Sequence, residues 1–125
     1  MNLDTTKSIA DITQESVHTS DDIDIGDIEA TSKDTVVVKR GIINVHYYYI
    51  PVSLIEGSDE QAVWLTITEQ EIKDKYEKDS EPDPAKYFMK NQGYSNFDRK
   101  NIPVIPSITK KGKKSYKKGY KSYKI

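Results

Sequence analysis

The sequence predicts a mainly β protein: a small antiparallel β-barrel followed by one or two short helices and a disordered basic tail. Three observations carry this expectation. Runs of β-branched and aromatic residues recur between Gly, Pro and Asp breaks from Val17 to Ile67. Helix-start chemistry first appears after the last of these runs. The final sixteen residues, KKGKKSYKKGYKSYKI, contain eight Lys, three Tyr and no acid, which leaves too little apolar surface to offset the entropy of folding.

The elements follow in order. Residues 1–11 are polar and without aromatics, and are expected to stay mobile or to add at most a short edge strand. Residues 12–78 form the β-domain. In DIDIGDIEA, Ile23, Ile25 and Ile28 surround Gly26, the pattern of a strand with a bulge or tight bend at the glycine. After the turn-like TSKD comes the β-branched strand TVVVKR, broken by Gly41. The next run, GIINVHYYYIPVSLI, places Ile43, Val45, Tyr47 and Tyr49 on one face and Asn44, His46, Tyr48 and Ile50 on the other. Aromatics on both faces suit a barrel, or a strand covered on both sides. Beyond the turn EGSDEQ, AVWLTIT directs Val63, Leu65 and Ile67 one way and Trp64 and Thr66 the other.

Thr68 with Glu71 matches the capping box, in which hydroxyl and carboxylate each satisfy an orphan amide of the first turn. Favourable i,i+4 charge pairs follow at Glu69/Lys73, Glu71/Lys75 and Asp74/Lys78, with Ile72 and Tyr76 left to dock the helix. Residues 79–109 form an extension. There Asp83 and Pro84 predict the start of a second short helix, PAKYFMKNQ, closed by Gly93, before NIPVIPSI runs extended into the tail at 110–125.

Composition narrows the function. The 125 residues contain no Cys, so disulfides, thiolate metal sites and cysteine nucleophiles are excluded. No apolar run reaches the roughly 20 residues of a membrane span, and the start lacks the features of a signal peptide, so the expectation is a soluble, cytoplasmic protein. The net charge of −1 conceals a dipole. Eight of the 19 Lys and Arg residues fall in the tail, leaving 11 in residues 1–109 against all 20 Asp and Glu. The tail can therefore hold an anionic partner or lean on its own acidic domain.

The stretch GDIEATSKDTVVVKRGIINVHYYYIPVSLIEGSDEQAVWLTITEQEI resembles the PRC-barrel superfamily, and is most similar to its stand-alone members. The resemblance lies in the Gly26 turn after an Ile-rich strand, the strand and break at Val36 to Gly41, the Tyr48–Pro51 motif and a last strand entering TITEQE. It spans Ile9 to Lys78. It departs from the family at Asp21-Asp22, where Asp-Gly is common, and this bears on the type of turn. What it implies is a small barrel acting as an assembly or docking module, with no shared catalytic residues.

Two histidines without cysteines, His18 and His46, need carboxylates such as Asp21, Asp22 or Asp24 to complete a metal site. DDIDIGD lacks the ligand positions of an EF-hand, and a solvated acidic edge or ordinary histidines are the simpler reading. No nucleophile arrangement or phosphate-cradling loop is present in the sequence. The expectation is therefore a non-enzymatic protein with no catalytic residues, cofactor or metal.

Tyr47, Tyr48, Tyr49 and Trp64 are the candidates for docking a protein partner, since rigid aromatics make good interface anchors. At least two of them should fill the core, with Trp64 or Tyr47 the more exposed. In the tail, Lys110, Lys111, Lys113, Lys114, Lys117, Lys118, Lys121 and Lys124 are candidate phosphate contacts, and Tyr116, Tyr120 and Tyr123 candidate base-stacking groups. The first functional reading is an interaction module that docks a protein through its β-domain and holds anionic surfaces with its tail. The alternative is a nucleic-acid-associated protein that binds non-specifically through the tail. Exposed strand edges make a homodimer plausible.

Overall fold

The computed structural model describes residues 6–11, 16–59, 61–92 and 100–109. The expected tail, residues 110–125, lies outside them.

The molecule is mainly β. Strands β2 (Ser16–His18), β3 (Asp24–Thr31), β4 (Thr35–Arg40), β5 (His46–Pro51), β6 (Ile55–Ser58), β7 (Ala62–Leu65) and β8 (Glu77–Lys78) form one sheet in the order β6-β7-β2-β3-β4-β5-β8. Strand β9 (Phe88–Met89) pairs with β3. Outside this sheet, β1 (Thr6–Ser8) and β10 (Val104–Pro106) pair antiparallel.

Two expectations are corrected. Among the described residues the end strands β6 and β8 do not pair with each other, so the sheet is open rather than a closed barrel. Nor is it wholly antiparallel, because β2 and β7 run parallel, Ser16 opposite Ala62 and His18 opposite Trp64. The chain reaches that pairing because residues 19–61, which include β3 to β6, lie between β2 and β7, long enough for a crossover that a hairpin could not make.

The β-branched run of β4 lies inside the sheet, flanked by β3 and β5, and pairs with β5 over all six residues from Thr35↔Pro51 to Arg40↔His46. One face of these strands buries Ile25, Ile28, Val36, Val38, Tyr48 and Ile50 with Val63, Leu65 and Ile72. The other face is also covered, since Ala30 and Val37 are fully buried. This is the two-sided burial that the aromatics on both faces of β5 foretold.

Glycine 26 lies where the pairing of β3 with β2 slips. Ser16 faces Asp27 and His18 faces Asp24, so β3 carries one extra residue between them. The glycine holds φ +119°, and a Cβ there would stand 2.2 Å from the Lys39 carbonyl oxygen. Residues 19–23 join β2 to β3, with Thr19 and Ile23 enclosing the three-residue loop Ser20–Asp22, closed by Asp22 N–H to Thr19 O and Thr19 N–H to Ile23 O. Asp22 takes the left-handed conformation, φ 63°, that such a loop demands of its last residue.

The single α-helix among the described residues, α1 (Glu69–Lys75), has the expected capping box. Thr68 Oγ1 accepts the Glu71 N–H and the Glu71 carboxylate accepts the Thr68 N–H. Glu69 and Lys73 pair at 3.8 Å, whereas Glu71 is engaged by the cap and Asp74 accepts from Gln70. The helix docks through Ile72, fully buried, and Tyr76.

The predicted second helix does not form. Asp83 caps a single turn, accepting from Ala85 with its side chain and from Lys86 and Tyr87 with its carbonyl. Phe88 and Met89 then enter the sheet opposite Thr31 and Ala30, and a 3-10 turn follows at Lys90–Gln92. Nine residues are too few for a stable helix without a docking face, and pairing with β3 satisfies the same backbone groups. Likewise Glu56, Gly57 and Ser58, expected in a turn, belong to β6, and the turn is confined to the residues that follow. At the N-terminus the edge-strand alternative holds: Thr6–Ser8 pairs with β10, and Ile9 is fully buried.

Candidate functional site

The four aromatic candidates divide evenly. Tyr48 and Trp64 are buried, 1% and 6% exposed, whereas Tyr47 and Tyr49 are half-buried on the outer face of β5. Of the two expected to be the more exposed, Trp64 or Tyr47, it is Tyr47 that reaches the surface while Trp64 is buried. All four residues of β7 are buried because β7 lies between β6 and β2 with both faces covered, so alternation there does not mark a solvent side. The indole N–H of Trp64 donates to Asp59 Oδ2 at 3.1 Å, and Asp59 Oδ1 meanwhile accepts the N–H groups of Gln61 and Ala62. One carboxylate thus shapes the β6–β7 turn and satisfies the buried indole.

Outside Tyr47 lies a row fixed by strand register. Lys39 faces Tyr47 from β4, and Lys78 faces it from β8. Cross-strand partners share a face, so Tyr47 lies between the two lysines in register, with Asp27 opposite Lys39 on the far side and the Lys78 ammonium reaching the ring of Tyr49. Next to it, Tyr49 meets Tyr87 edge-on with centroids 5.8 Å apart, carries the Lys78 ammonium 4.8 Å from its ring centre, and donates its hydroxyl hydrogen to Ser80 O. Burial pushes the Tyr49 phenol up from its ordinary value.

The loop end of the β4–β5 hairpin is held by an ion pair and a histidine–carboxylate contact. Arg40 Nη1 reaches Glu69 Oε2 at 2.8 Å, which together with the Tyr48 hydroxyl pushes the guanidinium's pKa up and keeps it charged. His46 Nδ1 contacts the Glu77 carboxylate. Beyond the last pair, Arg40↔His46, the chain turns through residues 41–45, starting at Gly41 with φ +91°. Ile42 and Ile43 stand at this tip, 94% and 92% exposed.

These two isoleucines escape a reading of GIINVHYYYIPVSLI as one strand, which aligns Ile43 with Val45 and Tyr47. The available signal was topological. VVVKR and HYYYIP can pair antiparallel only if the residues between them reverse the chain, and Gly41 and Asn44 are both turn formers.

The histidine and acidic candidates do not converge. His18 Nδ1 lies 3.1 Å from Asp22 Oδ1 and its Nε2 3.0 Å from Ser16 Oγ, so both ring nitrogens are engaged. Asp24 accepts the Gly26 N–H, and Asp21 accepts from Thr19 and from the Glu69 amide. Among the described residues no three His, Asp or Glu side chains are placed to hold a metal ion. The tail candidates, Lys110 to Lys124 with Tyr116, Tyr120 and Tyr123, lie outside the described residues. Among the described residues no helix is long and apolar enough to cross a membrane.

No family model, no curated protein and no solved structure matches this chain.

Proposed function

We propose that the protein is a non-enzymatic interaction module, related to the PRC-barrel group, that docks a protein partner through the β4–β5–β8 face and holds an anionic surface with its lysine tail. The observation that carries the docking half is the row Lys39–Tyr47–Lys78 across three strands, with Tyr47 half-buried between two lysines. An aromatic anchor bracketed by cations suits a partner that offers an apolar patch edged with carboxylates. The family resemblance supports the same role, because PRC-barrel members generally serve as docking modules. The test is site-specific photo-crosslinking in cells that make the protein, with the crosslinker in place of Tyr47 and, as control, in place of Lys33 on the exposed β3–β4 turn. A defined protein adduct from position 47 and none from 33 is expected. No adduct, or the same adducts from both positions, defeats the reading.

A second reading is favoured by one sequence observation, the eight lysines and three tyrosines in sixteen residues without an acid. Such a segment matches single-stranded nucleic acid, with lysines on phosphates and tyrosines on bases. Binding to single-stranded RNA whose log affinity falls linearly with log salt, and which vanishes when the tail lysines are replaced by Gln, is its expected signature.

A further inference from the structure

We infer that the β4–β5 hairpin is a membrane-surface anchor, which seats Ile42 and Ile43 in the interface of an anionic lipid bilayer. The inference deepens the anionic-surface half of the proposed function and does not depend on the protein-docking half.

The starting observation is the cost of the tip. Ile42 and Ile43 are adjacent, each more than nine-tenths exposed, and with Val104 they are the exposed large apolar residues among those described. Scattered single apolar residues on a surface need no explanation, but two consecutive isoleucines at the end of a hairpin form a local apolar point. A point of two side chains gives a protein partner little contact unless a matching pocket receives it. Fluid hydrocarbon needs no matching shape, and each buried methylene contributes wherever it lands.

The layers behind the tip match the layers of a bilayer surface. First comes the Arg40↔His46 pair, whose side chains contact Glu69 and Glu77; the Arg40 guanidinium offsets the Glu69 charge, and the Glu77 carboxylate is held against the His46 ring. Next comes the row Lys39–Tyr47–Lys78. With a strand rise of about 3.3 Å per residue, this row stands roughly 10 Å or less behind the isoleucines. The headgroup region is some 5–8 Å thick on each side of the hydrocarbon. Lysines and a tyrosine at that depth meet phosphates and the polar–apolar boundary, where amphipathic aromatic rings and basic side chains are favoured.

The second signal is the sequence from Lys110 onwards. A single short apolar anchor gives marginal, reversible membrane binding, and stable attachment takes a second signal such as a polybasic segment. This chain has both. The eight tail lysines also offset the acidic excess of residues 1–109, 20 acids against 11 bases, which by itself would oppose approach to an anionic leaflet.

The test uses the full-length chain, and the absence of cysteine allows a single label site. Ile43→Cys and, as control, Lys33→Cys are labelled with an environment-sensitive fluorophore and mixed with vesicles of phosphatidylcholine alone or with 30 mol% phosphatidylglycerol. A blue shift and intensity rise at position 43 and none at 33, with the anionic vesicles, is expected. In co-sedimentation the Ile42→Ser/Ile43→Ser double variant should lose at least tenfold in affinity for those vesicles, with an unchanged Tm and unchanged binding to single-stranded RNA. Vesicle affinity equal to wild type in the double variant, equal fluorescence changes at 43 and 33, or no vesicle binding by the wild-type chain each overturns the anchor. The Tyr47 crosslinking result is read without vesicles, so the two readings fail separately.

Discussion

The Asp21 carboxylate accepts the backbone N–H of Glu69 at 3.2 Å across 48 residues of sequence, clasping the β2–β3 turn to the first turn of α1. The same carboxylate takes the hydroxyl hydrogen of the fully buried Thr19, which in turn accepts the Ile23 N–H. The turn, the strand it starts and the helix are thus tied through one side chain.

Acid should loosen this clasp. The Thr19 hydrogen bond, helped by the Glu69 amide and opposed by partial burial, holds the Asp21 carboxyl below its ordinary value of 3.8. A carboxyl whose pKa is lower in the folded chain than in the unfolded one stabilises the fold fully above the unfolded value, and that contribution is lost as pH falls through the folded value. Wild type should therefore exceed Asp21→Ala in Tm at pH 5, and the gap should narrow as pH falls below the ordinary carboxyl value of about 4. A gap that stays constant as pH falls would show that Asp21 acts by packing alone.

Gly26 and Gly41 both have positive φ, yet their replacement should cost different amounts. An alanine Cβ at Gly26 meets the Lys39 carbonyl in the middle of the sheet, so Gly26→Ala should lose about 3 kcal/mol or more in urea unfolding. At Gly41 the opposing atom is Asn44 O, 2.7 Å away but in the exposed tip. That loop can shift, and Gly41→Ala should lose only about 1–2 kcal/mol. Equal losses at the two sites would mean that the sheet around Gly26 yields as readily as the loop.

Trp64 reports on folding. It is buried and its indole is satisfied by Asp59, so Trp64→Ala should cost about 3–5 kcal/mol through the cavity and the unpaired carboxylate. As the only Trp in the chain, it should emit at shorter wavelength in the native protein than in urea. Solvent-like emission from the native protein would contradict the burial.

Local chemistry was the legible part of this sequence. The Gly26 irregularity, the β-branched strand at Thr35, the Thr68–Glu71 capping box and the half-exposed Tyr47 all depend on neighbours within a few residues, and sequence spacing reports them. Asp22 shows the limit of residue-type rules. Aspartate tolerates the left-handed turn position there, and its carboxylate gains a contact with His18 that glycine could not offer. What depended on distant partners was not legible. The parallel pairing of β2 with β7 buried Trp64, the pairing of Phe88 and Met89 with β3 replaced a helix, and an open sheet stands where a barrel was expected. The apolar tip was missed for a related reason, since only the six-pair register of β4 with β5 shows that Ile42 and Ile43 lie beyond both strands.

The two chain ends provide the strongest case of long-range dependence, and a prediction that separates it from local expectation. Polar composition marks residues 1–11 as mobile or at most a short edge strand, yet Ile9 is fully buried and donates its N–H to Pro103 O at 2.9 Å, while Lys7 pairs with Ile105, itself 2% exposed. The N-terminal segment and the segment before the tail therefore close over the core together. Ile9→Ala should cost about 2–5 kcal/mol, as for other large-to-small changes at fully buried sites. Ile105→Ala should cost a similar amount. Because Ile9 directly follows β1 and Ile105 lies on its partner strand β10, the double variant should lose less than the sum of the single losses. Urea unfolding of the three variants measures this directly. Full additivity would show that the ends cover the core independently, and a negligible loss at Ile9 would return the first eleven residues to the mobile role that their composition suggests.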